Sequence, residues 1–504
     1  MIPAAKLSTT LLALVSVAVA SNSHSFAQRR QAGAVAAKRA ATDSAFQSLW
    51  YQSNYQDQAQ PPEYQDGDTG GQVVIINSAN GTDNNSNVQT CPIAFIGGSA
   101  VEGSEDGGWQ SKAQVVGFDT MSLDLGDDLT MPYYIERKDY TKVKRIVMVM
   151  QGKPRDAWRY PNLLRYSGKC AVSNSDWSTN DEDFIVAAPI IFNTDDVKAG
   201  GAAATDLVWK GGQWAKGSTS SGPGDADWTV FKALDSMVDH FFNTSTFPNL
   251  NSVSIAGHSA GAILAQHYAM VRKSTAGQDE NMRWLIANAG SYVWPVDSRP
   301  VMNPSAEPDC KSSNSTTCEM TPSCNVTMTQ WPYGLNMTDS KTMSSYARQR
   351  MEDNKDEVVQ DYFNRRVQYT FSELDDGAGD THCEAQFQGD THLSRGQNLV
   401  KALQDAGATG MHMTIVPNAT HVDEEVYIDP ATQQWLFVTG MDDTRNGTSK
   451  SSGSSSSSSK SGSGKSTASG SGSSSSAVAM PAAPLAAAVL FAVSAVALGA
   501  ATVL

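Results

Sequence analysis

Residues 252–270 carry the feature that most constrains this chain: a short apolar strand, a serine set between glycines, and a helix of small residues. Ser252-Val253-Ser254-Ile255-Ala256 places β-branched residues at alternate positions, which is the period of a strand. Ala260-Gly261-Ala262-Ile263-Leu264-Ala265-Gln266-His267-Tyr268-Ala269-Met270 reads as helix. Between them stands Gly257-His258-Ser259-Ala260-Gly261. The backbone must turn sharply within these five residues, and glycine permits that turn. In a chain with 40 glycines the pattern G-x-S-x-G also arises by chance. The strand before it and the helix after it make it a nucleophile elbow, which lifts the serine oxygen clear of a sheet. The helix start behind the serine offers backbone N–H groups to a developing negative charge.

The two ends of the chain suggest where it works. Residues 1–20 combine a basic start, a short apolar stretch and an Ala-Val-Ala end, the pattern of a signal peptide cleaved after Ala20. Residues 21–90 are polar and propeptide-like, with dibasic pairs at Arg29-Arg30 and Lys38-Arg39. Residues 446–476 form a Ser/Gly-rich stalk whose composition cannot build a core. Residues 477–504 end in an apolar tail from Leu485 to Leu504, with no Lys or Arg after it. Small residues, a spacer and an apolar tail match a GPI-attachment signal, with attachment near Gly472 to Ser475. A single membrane-spanning anchor is the alternative, although such a span normally ends in basic residues. The expected address is the outer face of the plasma membrane or the cell wall.

Other features agree with export. Cys91, Cys170, Cys310, Cys318, Cys324 and Cys383 form an even set, compatible with three disulfides, and none has C-x-x-C spacing. Glycosylation sequons stand at Asn80, Asn84, Asn243, Asn314, Asn325, Asn336, Asn418 and Asn446. The net charge of −15 and the absence of a basic stripe argue against nucleic-acid binding.

The folded part is expected over residues 91–445. Strand candidates are Ile93 to Ile96, Lys144 to Met150, Phe184 to Pro189, Ser252 to Ala256, Trp284 to Ala287, Val367 to Phe371 and Met411 to Val416. Helix candidates are Asp227 to Phe242, Ala260 to Lys273, Asp353 to Arg366 and Arg395 to Ala406. Alternation of strands and helices predicts a mostly parallel sheet covered on both faces. An elbow within such a sheet points to the α/β-hydrolase fold. Residues of about 292–343 interrupt the alternation and hold three cysteines and three sequons. They read either as a cap over the site or as a stapled surface loop.

A serine hydroxyl needs a base to take its proton and a carboxylate to orient that base. In α/β-hydrolases these follow in the order serine, acid, histidine. The acid is sought after the strand Val367 to Phe371. Asp375 is the first choice, with Asp376 and Glu373 in reserve. The base is His421, across a short loop from the last strand. His412, at that strand's start, is expected to point into the packing layers, while His382 and His392 follow the acid. His258, beside the serine, reads as elbow support. The N–H of Ala260 would be one oxyanion donor. The second would be Lys153, in the loop after Arg145 to Met150, with Gly152 allowing close backbone approach.

Several segments together resemble a family of secreted microbial α/β-hydrolases. These are Gln151-Gly152 with Arg155-Asp156-Ala157, Trp209 to Gly217, the GHSAG elbow, Asn288 to Tyr292 with Arg299-Pro300, Trp331-Pro332-Tyr333-Gly334, and Gln388-Gly389 with Arg395-Gly396. The resemblance implies a catalytic set of Ser259, Asp375 and His421, and departs at Gln151, where many hydrolases carry histidine. The expected activity is that of a serine esterase on a small-molecule or cell-wall ester, with no metal or organic cofactor. A serine peptidase, or a surface binding protein that keeps the fold, are the alternatives.

Overall fold

The computed structural model describes residues 103–112, 115, 117–296, 298–301, 324–336 and 343–441. The expected strand at Ile93 to Ile96, the leader, the stalk and the apolar tail lie outside these residues. So do Asn80, Asn84, Asn314, Asn446 and the side chain of Asn325. No helix among the described residues is long and apolar enough to cross a membrane.

Eight strands form the central sheet: β1 (Phe118–Gly126), β2 (Leu129–Glu136), β3 (Arg145–Val149), β4 (Phe184–Pro189), β5 (Ser252–His258), β6 (Met282–Ala287), β7 (Val367–Ser372) and β8 (Met411–Val416). Their spatial order is β8-β7-β6-β5-β3-β4-β2-β1. β2 runs antiparallel to both neighbours, and every pair from β4 to β8 is parallel. The flanking helices are α1 (Arg159–Ser173), α2 (Val230–Phe241), α3 (Ala260–Val271), α4 (Ser345–Asn364), α5 (His392–Asp405), α6 (Asp423–Tyr427) and α7 (Pro430–Phe437). This strand order, with an inverted second strand and helical crossovers, is the α/β-hydrolase fold.

Residues β3 to β7 are buried along their whole length, as parallel strands covered on both faces must be. Successive side chains of β3 enter opposite layers. Ile146 and Met148 join the core that includes residues of α2, α3, α4 and α5, while Val147 and Val149 join the core of α1 and α7. The apolar spacing of α2, with Val230, Phe231, Leu234, Met237, Val238 and Phe241 buried, turns one face inward. Each such side chain stabilises the fold by roughly 1.5–3 kcal/mol relative to exposure.

The expected strands and helices within the described residues are present, with shifted ends. The helix expected from Asp353 begins earlier, at Ser345, and is interrupted at Asn354 (φ −166°, ψ 92°). β1, β2 and α1 were not anticipated. One expectation is corrected: His412 does not enter the packing layers. β8 is an edge strand, and His412 stands exposed on it, its ring 5.4 Å from that of Trp435.

The insertion follows β6, and its described part is tied down at several points. Trp331 Nε1 donates to the Lys216 carbonyl at 3.0 Å. Trp294 and Gly334 form a β-bridge. The Cys324–Cys383 disulfide staples the insertion to the segment after β7. Cys170 is disulfide-bonded as well.

Candidate active site

The carboxyl ends of β3, β5, β7 and β8 converge on one edge of the sheet, where open α/β sheets bind their ligands. Ser259 stands between β5 and α3 with φ 55° and ψ −120°, a conformation that costs a non-glycine residue roughly 1–3 kcal/mol. The surrounding structure imposes it. Ser259 N donates to the Ala287 carbonyl at 3.0 Å. A Cβ at Gly257 would lie 2.2 Å from the Gly261 carbonyl oxygen, and one at Gly261 would lie 2.6 Å from that of Gln151. The two glycines are therefore required by the approach of helix to strand and of loop to helix.

His421 and Asp375 meet this serine. His421 Nε2 lies 3.0 Å from Ser259 Oγ, and His421 Nδ1 lies 2.7 Å from Asp375 Oδ2. Asp375 is 2% exposed. Burial alone would raise its carboxyl, but the polar contacts and charge of His392 and His421 outweigh that and hold it down at about 2. The two reserve acids face away. Asp376 and Glu373 are exposed, and Glu373 Oε2 accepts from Asn418 N at 2.8 Å. His382 is occupied elsewhere, 2.5 Å from Asp380. His258 is buried with its ring 4.8 Å from that of His421. Burial, then the charge of His421, push the His258 imidazole down to about 3, so it stays neutral beside the His421 ring.

The loop after β3 lies against the start of α3. Gln151 does not reach toward the serine. Its amide pairs both ways with the Ile191 backbone, Nε2 donating to the carbonyl at 2.6 Å and Oε1 accepting from the N–H at 3.1 Å. Gln266 pairs in the same way with Val293, and Gln388 with Tyr292. Arg155 N donates to the Gly152 carbonyl at 3.1 Å, closing the turn. Arg155 is then held by buried Asp196 at 2.9 Å, and Trp109 Nε1 donates to the Pro154 carbonyl at 2.7 Å. Gly152 is buried, and a Cβ there would lie 2.3 Å from Tyr160 Oη. The Lys153 side chain projects into solvent, 3.2 Å from Glu105. Ala260 is the first residue of α3.

Behind this loop lies a buried acidic cluster that sequence reading missed. Arg159 binds Asp423 at 2.7 Å and also pairs with Glu424. Burial pushes Asp156 up to about 6. Asp375, His392 and His421 offer ligand atoms within 4.8 Å of one another.

The sequence matches no protein-family model and no curated protein. Among solved structures, the chain is similar to poly(aspartic acid) hydrolase-1 from Sphingomonas sp. KT-1, at 14% identity and TM-score 0.41, covering 64% of this chain and 98% of that one. It is also similar to LpqC, a poly(3-hydroxybutyrate) depolymerase from Bordetella parapertussis, at 15% identity and TM-score 0.41, covering 64% and 89%. The siderophore hydrolase EstA from Aspergillus nidulans matches at 10% identity and TM-score 0.34, covering 64% and 93%. At these values the likenesses carry no argument about activity. The fold assignment rests on the strand order and crossovers.

Proposed function

We propose that this protein is a serine hydrolase working outside the cell, and that its substrates are carboxylic esters. The observation that carries the reading is the hydrogen-bonded line from Ser259 Oγ through His421 to Asp375. A strained serine at an elbow supports it further.

In this reading Ser259 Oγ attacks the ester carbonyl carbon while its proton passes to His421 Nε2. The carbonyl π bond opens to an oxyanion, held by the N–H groups of Ala260 and Lys153. As the carbonyl reforms, the alcohol leaves and takes the proton from His421. Water then attacks the acyl-enzyme by the same route, releasing the carboxylic acid and restoring Ser259. Asp375 keeps the imidazole oriented and offsets its charge throughout. Every step uses groups of this chain, the substrate and one water molecule.

The test is reaction of the protein with a fluorophosphonate serine probe, beside Ser259→Ala. Labelling of the parent alone is the expected result. Labelling that survives in the variant would overturn the assignment of Ser259. The extracellular address rests on residues 1–20 and 477–504. Deleting residues 477–504 should release the protein into the medium, and retention at the membrane would count against a lipid anchor.

A further inference from the structure

We propose that His392 is a positioning residue for this site: it engages the second oxygen of Asp375 and stacks on His421, so that two imidazoles share one carboxylate. The proposal rests on the catalytic reading above.

Asp375 gives one oxygen to each ring. Oδ2 bonds His421 Nδ1 at 2.7 Å, and Oδ1 lies 3.0 Å from His392 Nδ1. This second contact is an ion-pair approach, and the buried His392 Nδ1 makes no hydrogen bond of ordinary geometry. The two rings lie 4.2 Å apart at an interplanar angle of 26°. The His258 ring also abuts His421, 4.8 Å away. The base therefore has imidazole neighbours supplied by both β5 and α5.

The surroundings hold His392 in place. It is the first residue of α5, whose N-cap Thr391 accepts from Ser394 N at 3.1 Å. His392 N donates to the Gly377 carbonyl at 2.9 Å, and Leu393 N to that of Asp375 at 3.4 Å. The acid loop curls against the ring so closely that a Cβ at Gly379 (φ +61°) would lie 2.6 Å from His392 Nε2. Serine hydrolysis needs one imidazole on its carboxylate. This chain places a second one 3.0 Å from the other oxygen of its carboxylate.

Contact at both oxygens stops the carboxylate rotating away from His421. The stacked His392 ring limits the swing of the His421 ring. His392 is therefore the group placed to hold the acid and the base in register.

The test compares the parent with His392→Phe, which keeps a stacked ring without a donor, and His392→Asn, which keeps an N–H near the Nδ1 position. The readouts are the rate of fluorophosphonate labelling of the full chain, and kcat and KM on a model ester. His392→Phe should label several-fold more slowly and lose kcat with KM little changed, and His392→Asn should recover most of the rate. Thermal melts establish that the variants fold, and a purely structural role would lower the melting temperature and leave the rate of the folded protein in place. A labelled parent whose folded His392→Phe variant labels at the parent's rate overturns this proposal alone. A well-folded parent that does not label overturns the catalytic reading and this proposal with it.

Discussion

Asp375 shows how much depends on the direction in which one side chain points. Three carboxylates follow β7 within four residues, and only Asp375 turns inward to meet an imidazole. Asp375→Asn would retain the shape, but its amide would favour the wrong tautomer of His421. Turnover should fall about 10⁴-fold, as expected when a triad acid becomes an amide. Steady-state kinetics on a model ester would check this, and a loss of less than tenfold would exclude Asp375 as the orienting acid. Gln151 makes the same point from the other side of the site. Its place in the chain suggests histidine's role, yet its amide is spent on the Ile191 backbone. Its contribution is to fix where the loop after β3 lies.

At the scale of elements, that loop depends on a partner distant in sequence. Asp196, fully buried, takes Arg155 on both oxygens and accepts from the N–H groups of Trp109 and Asn193. Asp196→Ala would leave the Arg155 guanidinium buried without its carboxylate. The expected cost is about 3–5 kcal/mol of stability, the usual penalty for breaking a buried pair from one side. Chemical denaturation would measure it. Activity should fall by more than the stability loss explains, because the Gly152–Arg155 turn would lose its anchor. A variant as stable as the parent would show that Asp196 is not what holds the turn.

At the scale of the whole molecule, two buried histidines make the fold sensitive to acid. Burial, reinforced by the charge of His421, holds His258 down at about 3. Burial also holds His267 down at about 4, against the opposing effect of the Ile263 and Pro332 carbonyls. Both titrate near 6.5 in an unfolded chain. Below that pH the unfolded state therefore takes up protons that the native state refuses. Stability is retained above about pH 6.5 and falls as pH drops toward 4, by about 1.4 kcal/mol per pH unit for each histidine. Asp375 adds a separate loss at lower pH. Its carboxyl is held below its unfolded value, so its contribution is present above about pH 4 and disappears as pH falls toward 2. Calorimetry from neutral pH down to about pH 4.5 should show a falling melting temperature, and His267→Gln should flatten part of the slope. A melting temperature that stays constant across this range would contradict the burial of both rings in neutral form.

The amino-acid sequence by itself determined what depends on short stretches of chain. The elbow was readable because strand, turn and helix follow one another within about 20 residues, a span over which periodicity and glycine act directly. The order of serine, acid and histidine was readable because topology leaves each group a place after its own strand. β1 was less visible because one face carries the exposed polar side chains Thr120, Ser122 and Asp124. Pro132 disguised β2, and Pro161 and Gly168 disguised α1. Only the tertiary structure decided which acid faces inward and that His392 joins the site, because contacts with remote segments set both. Ser259 and His421 are 162 residues apart, and no local propensity acts over that distance. Such partners come together only when the packed sheet brings the ends of its strands to one edge.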